Sequence, residues 1–206
     1  MTRIAVLCSG GGSNLQALLD AIDAGRVNGQ VRLVLANRSG AFALQRARDR
    51  GISAVFVSRK EAGGEAAFNA RMLALLRQAE IDLVVLAGYL PMVGPDIVSV
   101  YRHRILNIHP ALIPAFCGQG MYGHHVHQAA LDYGVKLSGA TVHFVDEQAD
   151  HGPIVAQRAV PVLPGDDTQS LAARVLAVEH QLLPESVALF CAGKLRVDGR
   201  RVVVVE

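Results

Sequence analysis

Arg104-Ile105-Leu106-Asn107-Ile108-His109-Pro110-Ala111-Leu112-Ile113-Pro114 is the stretch around which the chain is organised. Ile105, Leu106 and Ile108 read as the end of a buried strand. Asn107 and His109 flank Ile108, and in extended backbone residues i and i+2 share a face. Pro110 restricts His109 to extended geometry and cannot donate to a ladder, so the strand is expected to stop there. Asn107 and His109 then stand at a carboxyl edge, where open parallel α/β sheets bind ligands. An amide donor beside an imidazole able to carry a proton is a candidate oxyanion-stabilising pair. A lone Asn or His at a strand end is more often structural, bridging loop backbone or capping a neighbour. The rest of the chain supplies the context.

Upstream, strands and helices alternate. Arg3 to Leu7, Val31 to Ala36, Ser53 to Val57 and Ile81 to Ala87 read as strands. The first and last are nearly continuous apolar runs, as expected of strands buried on both faces. Between them, helical periodicity starts near Leu15 (Leu15, Leu18, Leu19, Ile22), spans Phe42 to Arg50 and spans Ala66 to Ala79 (Phe68, Met72, Leu75, Leu76). Lys60 to Gly64 reads as a polar loop, and Pro95 as the start of a short helix towards Tyr101. Repeated strand-helix units predict an α/β fold: a Rossmann-like, open, mostly parallel sheet with helices on both faces.

Cys8-Ser9-Gly10-Gly11-Gly12-Ser13-Asn14 joins the first strand to the first helix. Exposed backbone N–H groups at a helix start hydrogen-bond anionic oxygens, and the helix dipole assists. Ser13 or Asn14 can cap this helix or touch a ligand. The third glycine of a dinucleotide fingerprint is replaced by Leu15, and no Walker lysine follows. A monophosphate fits better than a dinucleotide or ATP. The plain alternative is a tight turn, but three consecutive glycines carry an entropy cost that a turn does not need.

Composition narrows the function classes. The chain has 206 residues, 51% of them hydrophobic, which fits one sizeable domain. Twenty Lys+Arg stand against 18 Asp+Glu, without a basic tail, which argues against a broad nucleic-acid footprint. Cys8, Cys117 and Cys191 are odd in number and widely spaced, so neither a disulfide framework nor a compact zinc motif is expected. No apolar run is long enough for a membrane span. A reducing, cytoplasmic compartment is the expectation.

Downstream, Pro110 to Tyr122 is a long irregular segment with Pro114, Cys117, Gly118 and Gly120, and it reads as an active-site loop. A helix is expected from His124 to Tyr133. Its His124, His125 and His127 lack a carboxylate-backed ligand pattern, so no metal is predicted. Gly139 to Val145 and Pro153 to Val160 read as strands around an acidic turn, Asp146 to Gly152. Asp167 or Thr168 should cap a last helix that runs past Pro184 to Cys191, with Leu171, Val175, Val178 and Leu182 as its stripe. Pro184 should kink or divide it. Asp198-Gly199 signals a hairpin over about 195–205.

Four segments together resemble the phosphoribosylglycinamide formyltransferase family, the folate-dependent formyltransferases of purine synthesis. They are Gly11-Gly12-Ser13-Asn14-Leu15-Gln16, Leu86-Ala87-Gly88-Tyr89, Asn107 to Pro114, and Gly139 to Val145 with Asp150-His151-Gly152-Pro153-Ile154. The likeness covers almost the whole chain. It implies the formyltransferase fold and transfer of a formyl group from 10-formyltetrahydrofolate, the co-substrate, to the amine of glycinamide ribonucleotide. It implies Asn107, His109 and Asp150 as the catalytic trio. It makes Gly11, Gly12, Ser13 and Asn14 the phosphate cradle and Glu179 the carboxylate for the substrate amine. Tyr89, Leu90, Pro91, Met92 and Val93, with Asp146 and Asp150, are the expected folate contacts.

In one 1–206 domain, residues 1–100 would mainly serve the phosphate substrate and 101–206 the catalysis and folate. The expected assembly is a monomer or homodimer, with small-molecule partners and neither nucleic acid nor membrane. Two positions depart from the family pattern: Pro91, where many relatives carry a basic residue, and Glu65, near where some place an arginine.

Two other functions remain open on sequence. A 10-formyltetrahydrofolate hydrolase would share the trio, but it usually carries an extra N-terminal domain, whereas this chain opens on its first strand. A non-catalytic phosphate-ligand-binding regulator would need the glycine loop but not the trio.

Overall fold

The structure, a computed structural model, describes residues 1–205. Two compact units divide the chain, the first spanning Met1–Leu106 and the second beginning at Asn107.

The first unit is a parallel α/β sheet. Its strands are β1 (Thr2–Cys8), β2 (Gly29–Ala36), β3 (Ser53–Phe56) and β4 (Leu83–Leu86), ordered β3-β2-β1-β4. Ile4 to Leu7 and Leu83 to Val85 are fully buried, the environment their continuous apolar sequence anticipates. The helices are α1 (Ser13–Asp23), α2 (Phe42–Asp49), α3 (Arg59–Ala62), α4 (Glu65–Gln78) and α5 (Pro95–Val100). Leu15, Leu18 and Leu19 of α1 are buried, as are Phe68, Met72 and Leu76 of α4. The expected polar loop at 60–64 is a correction: Ser58 accepts from the Glu61 amide and nucleates the single turn α3, which Gly63 ends.

Strand β5 (Ile105–His109) crosses the unit boundary. It enters beside β4, where the Val84 amide donates to the Arg104 carbonyl at 2.9 Å. It stops at His109, immediately before Pro110.

The second unit contains α6 (His124–Tyr133), β6 (Leu137–Phe144), β7 (Ile154–Pro161), α7 (Thr168–Cys191), β8 (Leu195–Asp198) and β9 (Arg201–Val204), its strands ordered β6-β7-β9-β8. β6 pairs directly and antiparallel with β7, with a bulge between Val142 and His143. β7 pairs parallel with β9, and β8 antiparallel with β9 around Asp198-Gly199. Overall the fold is a mixed, mostly parallel α/β sheet flanked by helices.

Helix α7 starts in a capping box, in which Asp167 accepts from the Ser170 amide and Ser170 accepts from the Asp167 amide. Pro184 does not divide α7, which is one helix across it. A helix-interior proline costs about 3 kcal/mol. Burial of Leu182, Leu183, Pro184 and Val187 around it offsets that cost. No helix among the described residues is long and apolar enough to cross a membrane.

Candidate active site

Asn107 and His109 end β5, and Asp150 lies on the turn after β6, all within the second unit. The His109 ring is 4% exposed. Its Nε2 is 2.8 Å from the Phe116 carbonyl oxygen. A carbonyl only accepts, so Nε2 carries a hydrogen and Nδ1 is the nitrogen that gains or loses a proton. Nδ1 faces Asp150 Oδ2 at 3.5 Å. Burial holds the imidazole below its ordinary range, against the opposing pull of the Asp150 charge and the Phe116 carbonyl.

Asp150 is held from several sides. Its Oδ2 accepts from the Gly118 amide at 2.9 Å, and its Oδ1 from Asn107 Nδ2 at 3.4 Å. Oδ1 also lies 3.7 Å from His143 Nε2. Burial opposes ionisation, but His143, the charge on His109 and the Gly118 amide outweigh it and lower the carboxyl's pKa. The backbone at Asp150 is left-handed, φ 52°. Such a conformation costs a side-chain-bearing residue about 1–3 kcal/mol and persists where the surroundings enforce it.

Sequence reasoning missed His143. Its Nδ1 is 2.8 Å from the Phe144 carbonyl, so in the neutral ring Nδ1 donates and Nε2 accepts. Nε2 then accepts from Asn107 Nδ2 at 3.0 Å, and when it carries a hydrogen it turns that hydrogen to Asp150 Oδ1, 3.7 Å away. The β6 bulge falls at this residue, a device that re-aims a side chain. A His in an otherwise apolar, β-branched run was the available signal.

Backbone groups of the irregular loop were also missed, because sequence does not show where a carbonyl or amide points. The loop is anchored at Thr141, whose hydroxyl donates to the Ala111 carbonyl at 2.6 Å and accepts from the Ile113 amide at 3.1 Å. Gln157 Nε2 donates to the Ile113 carbonyl at 2.9 Å and to Thr141 Oγ1 at 3.0 Å. The glycines beside the site answer to crowding. A side chain at Gly152 would run into the Phe144 carbonyl, and one at Gly139 into the Arg158 carbonyl.

These donors, this base and this buried imidazole suit acyl transfer without a covalent enzyme intermediate. A formyl transferase family model matches residues 2–187. A phosphoribosylglycinamide formyltransferase from Escherichia coli strain K12 is 37% identical over 206 residues, covering 97% of this chain and 95% of its own. The chain belongs to the phosphoribosylglycinamide formyltransferase family.

A chloroplastic phosphoribosylglycinamide formyltransferase of Vigna unguiculata is 41% identical over 96% of this chain, and the chain spans 64% of that relative's length. Among solved structures, glycinamide ribonucleotide transformylase 1 of Symbiobacterium toebii is 44% identical, with a TM-score of 0.95 over 100% of this chain and 95% of its own. A formyltetrahydrofolate deformylase from Pseudomonas syringae pv. tomato has a TM-score of 0.90 at 26% identity, over 100% of this chain and 66% of its own.

In this member of the phosphoribosylglycinamide formyltransferase family, the other candidate residues stand as follows. Gly12 is the N-cap of α1, with φ 72°, and a Cβ there would meet Ala43 Cβ at 2.8 Å. Gly10 and Gly11 face open space. Ser13 and Asn14 lie in the first turn, one and two residues past the N-cap, so Gly12 and neither of them occupies the cap position, which leaves the alternative of a ligand contact. Arg46 Nε donates to the Gly11 carbonyl at 2.9 Å, a loop contact the sequence reading did not include.

Tyr89 donates to Met72 Sδ at 3.3 Å, and burial raises its phenol pKa. The Leu90 amide donates to Ser9 Oγ at 2.9 Å. Leu90 and Met92 are exposed, Pro91 is half-buried and Val93 belongs to the core. Asp146 accepts from His151 Nδ1 at 2.7 Å. Glu179 lies on the buried stripe of α7 with Leu171, Val175 and Leu182, 8% exposed. A carboxylate on that face is costly to bury and marks a polar requirement. No group of three or more His, Cys, Asp or Glu that could hold a metal occurs among the described residues.

Proposed function

We propose that this chain transfers the formyl group of 10-formyltetrahydrofolate to the amine of glycinamide ribonucleotide, in purine biosynthesis. The observation that carries the reading is the Asn107–His109–Asp150 constellation: Asp150 Oδ2 is 3.5 Å from His109 Nδ1, and Asp150 Oδ1 is 3.4 Å from Asn107 Nδ2.

The amine attacks the formyl carbon and negative charge develops on the formyl oxygen. Asn107 turns to that oxygen the amide hydrogen that otherwise makes its long 3.4 Å bond to Asp150 Oδ1. His109, once protonated on Nδ1, places positive charge beside it. Its Nε2 is already committed to Phe116, so the Nδ1 edge serves the reaction. The Asp150 carboxylate, held ionised, takes the proton that the amine loses, directly or through water, and returns a proton to the departing folate nitrogen. The products are the formylated amine and tetrahydrofolate. No covalent enzyme intermediate is needed, and Cys117 is no candidate for one: burial, then the Asp150 charge, raises the pKa of its thiol.

In this reading the first unit receives the substrate phosphate at Gly11, Gly12, Ser13 and Asn14. The uncapped amides of α1 support that role. Glu179 receives the amine. Tyr89, Leu90, Pro91, Met92, Val93 and the backbone around Asp146 to Asp150 form the folate side. The compartment that fits is the cytoplasm.

The deformylase likeness keeps hydrolysis as a second reading. A paired turnover assay with 10-formyltetrahydrofolate, with and without glycinamide ribonucleotide, separates the two. Tetrahydrofolate release that requires the amine, with equal formylated product, supports transfer. Rapid release without the amine supports hydrolysis. Silence in both arms, with tight binding of the ribonucleotide, overturns the catalytic reading and leaves a binding protein.

A further inference from the structure

Arg200 stands in the turn between β8 and β9, one residue beyond Gly199. Its guanidinium forks onto a single residue of the acidic turn. Nη1 rests against the His151 ring, 3.0 Å from Nε2 and 3.5 Å from Nδ1, and Nη2 donates to the His151 carbonyl at 2.8 Å. The carboxylate of Asp146 only accepts, so the ring hydrogen of His151 sits on Nδ1. Nδ1 then donates to Asp146 Oδ2 at 2.7 Å, while Asp146 Oδ1 accepts from the Gln148 amide at 2.9 Å. The Arg200–His151 carbonyl bond and the His151–Asp146 bond thus tie the hairpin to both ends of the turn that carries Asp150.

The tie grips a backbone that requires holding. Asp150 precedes His151 and is left-handed. Gly152 follows, pressed against the Phe144 carbonyl. The two residues that follow Asp150 are therefore both held, Gly152 by its packing and the peptide between His151 and Gly152 by whatever takes the His151 carbonyl. That peptide's carbonyl is the group Arg200 takes. The hairpin supplies a firm base, because Arg201 is in register with Ile154 of β7.

We propose that Arg200 is a positioning residue for Asp150, acting through His151. The inference rests on Asp150 being the group that handles the proton. His151 and Arg200 are exposed, so the contact adds little to global stability. Its effect is on geometry, where a small displacement of a reacting group is costly. A lysine cannot reproduce the grip, since one ammonium cannot serve ring and carbonyl as a planar fork does.

The test compares wild type with R200A, R200K, H151A and R200A/H151A, with R196A as the control on β8. Turnover of 10-formyltetrahydrofolate and glycinamide ribonucleotide is followed across pH, and amide hydrogen exchange over residues 146–152 is measured on the unliganded proteins. R200A is expected to lower kcat about five- to tenfold. It should leave KM for the ribonucleotide within about twofold and move the acid limb of the profile to higher pH. R200K should recover part of the loss and R196A show none. H151A keeps the carbonyl that Arg200 takes and should lose less than R200A, and the double variant should fall no further than R200A. Exchange in the turn should quicken in R200A.

Wild-type kcat and acid limb in R200A, or additive losses in the double variant, overturn the proposal. If wild type itself does not turn over, the catalytic reading has failed. The exchange arm still judges the tether, and unchanged exchange in R200A overturns it.

Discussion

The Gly118 amide donates to Asp150 Oδ2 at 2.9 Å, so the irregular loop after β5 and the acidic turn after β6 hold each other through one carboxylate. The loop also supplies the Phe116 carbonyl to His109. Proton acceptor and imidazole are thereby oriented by backbone groups two residues apart, and neither can shift without the other.

Asp150→Asn keeps that shape. The amide oxygen can still accept from Gly118, the new NH2 replaces the oxygen that accepted from Asn107, and the side chain cannot take a proton from the attacking amine. Loss of a general base typically costs about 10²- to 10⁴-fold. The expected outcome is a kcat reduced by that range, with ribonucleotide affinity by calorimetry nearly unchanged. A kcat within tenfold of wild type would remove Asp150 from the proton path.

Asn107→Ala deletes the amide donor that the reading aims at the formyl oxygen. Removing one such donor costs about 2.7–4 kcal/mol of barrier stabilisation, or roughly 10²- to 10³-fold in kcat. Because the charge exists only as the transition state forms, KM should stay close to wild type. A raised KM with an unchanged kcat would instead make Asn107 a ground-state binding group.

With hydrogens on both ring nitrogens, His143 contributes to holding Asp150 ionised. His143→Ala removes that support, so the Asp150 pKa should rise towards, or beyond, its ordinary value of about 3.9. The base is then ionised only at higher pH, and the acid limb of kcat/KM should move up while the rate on the alkaline side falls less. Steady-state profiles of the two proteins check the sign. An acid limb displaced downward would contradict the assigned role.

The legible parts of this protein are those written in side-chain pattern. The continuous apolar runs Ile4 to Leu7 and Leu83 to Leu86 identified buried parallel strands. The His109-Pro110 step marked where β5 stops. The Asp167 cap of α7 was visible as well. What escaped depends on contacts distant in sequence. The Phe116 carbonyl and the Gly118 amide act through backbone, which carries no residue-type signal. His143 is re-aimed by a bulge that alternation alone does not show. Pro184 suggested a kink or a division, and tertiary burial keeps the helix undivided. Ser58 formed a turn of helix where its neighbours looked merely polar. Glu179 was noticed through family likeness, although its place on an apolar stripe was a physical sign in its own right.

Gly152→Ala tests the crowding behind Asp150. The added methyl would overlap the Phe144 carbonyl, so the backbone must move. Overpacking of this kind costs about 1–3 kcal/mol, and a thermal melt should show a clear fall in Tm. Turnover at temperatures where the variant is fully folded should fall as well, because the shift is passed to Asp150. Wild-type Tm and turnover would mean that the turn can relax without disturbing the carboxylate.

The first unit offers a stability test independent of the chemistry. Arg3 grips Asp82 with Nε to Oδ2 at 3.0 Å and Nη2 to Oδ1 at 2.8 Å, and its own amide adds a bond to Oδ2 at 2.9 Å. The hydrogen bond from the Arg3 side chain, opposed by slight burial, lowers the Asp82 pKa to about 2. An unfolded aspartate titrates near 3.9. Between those values the unfolded chain binds the proton more readily, so acid favours unfolding. The pair's contribution is present above about pH 4 and is lost as pH falls through about 2. Arg3→Met should therefore lower the urea midpoint at pH 7, and the gap from wild type should narrow between pH 4 and pH 2. A gap of equal size at pH 7 and pH 2 would assign the effect of Arg3 to the packing of its stem and not to its charge.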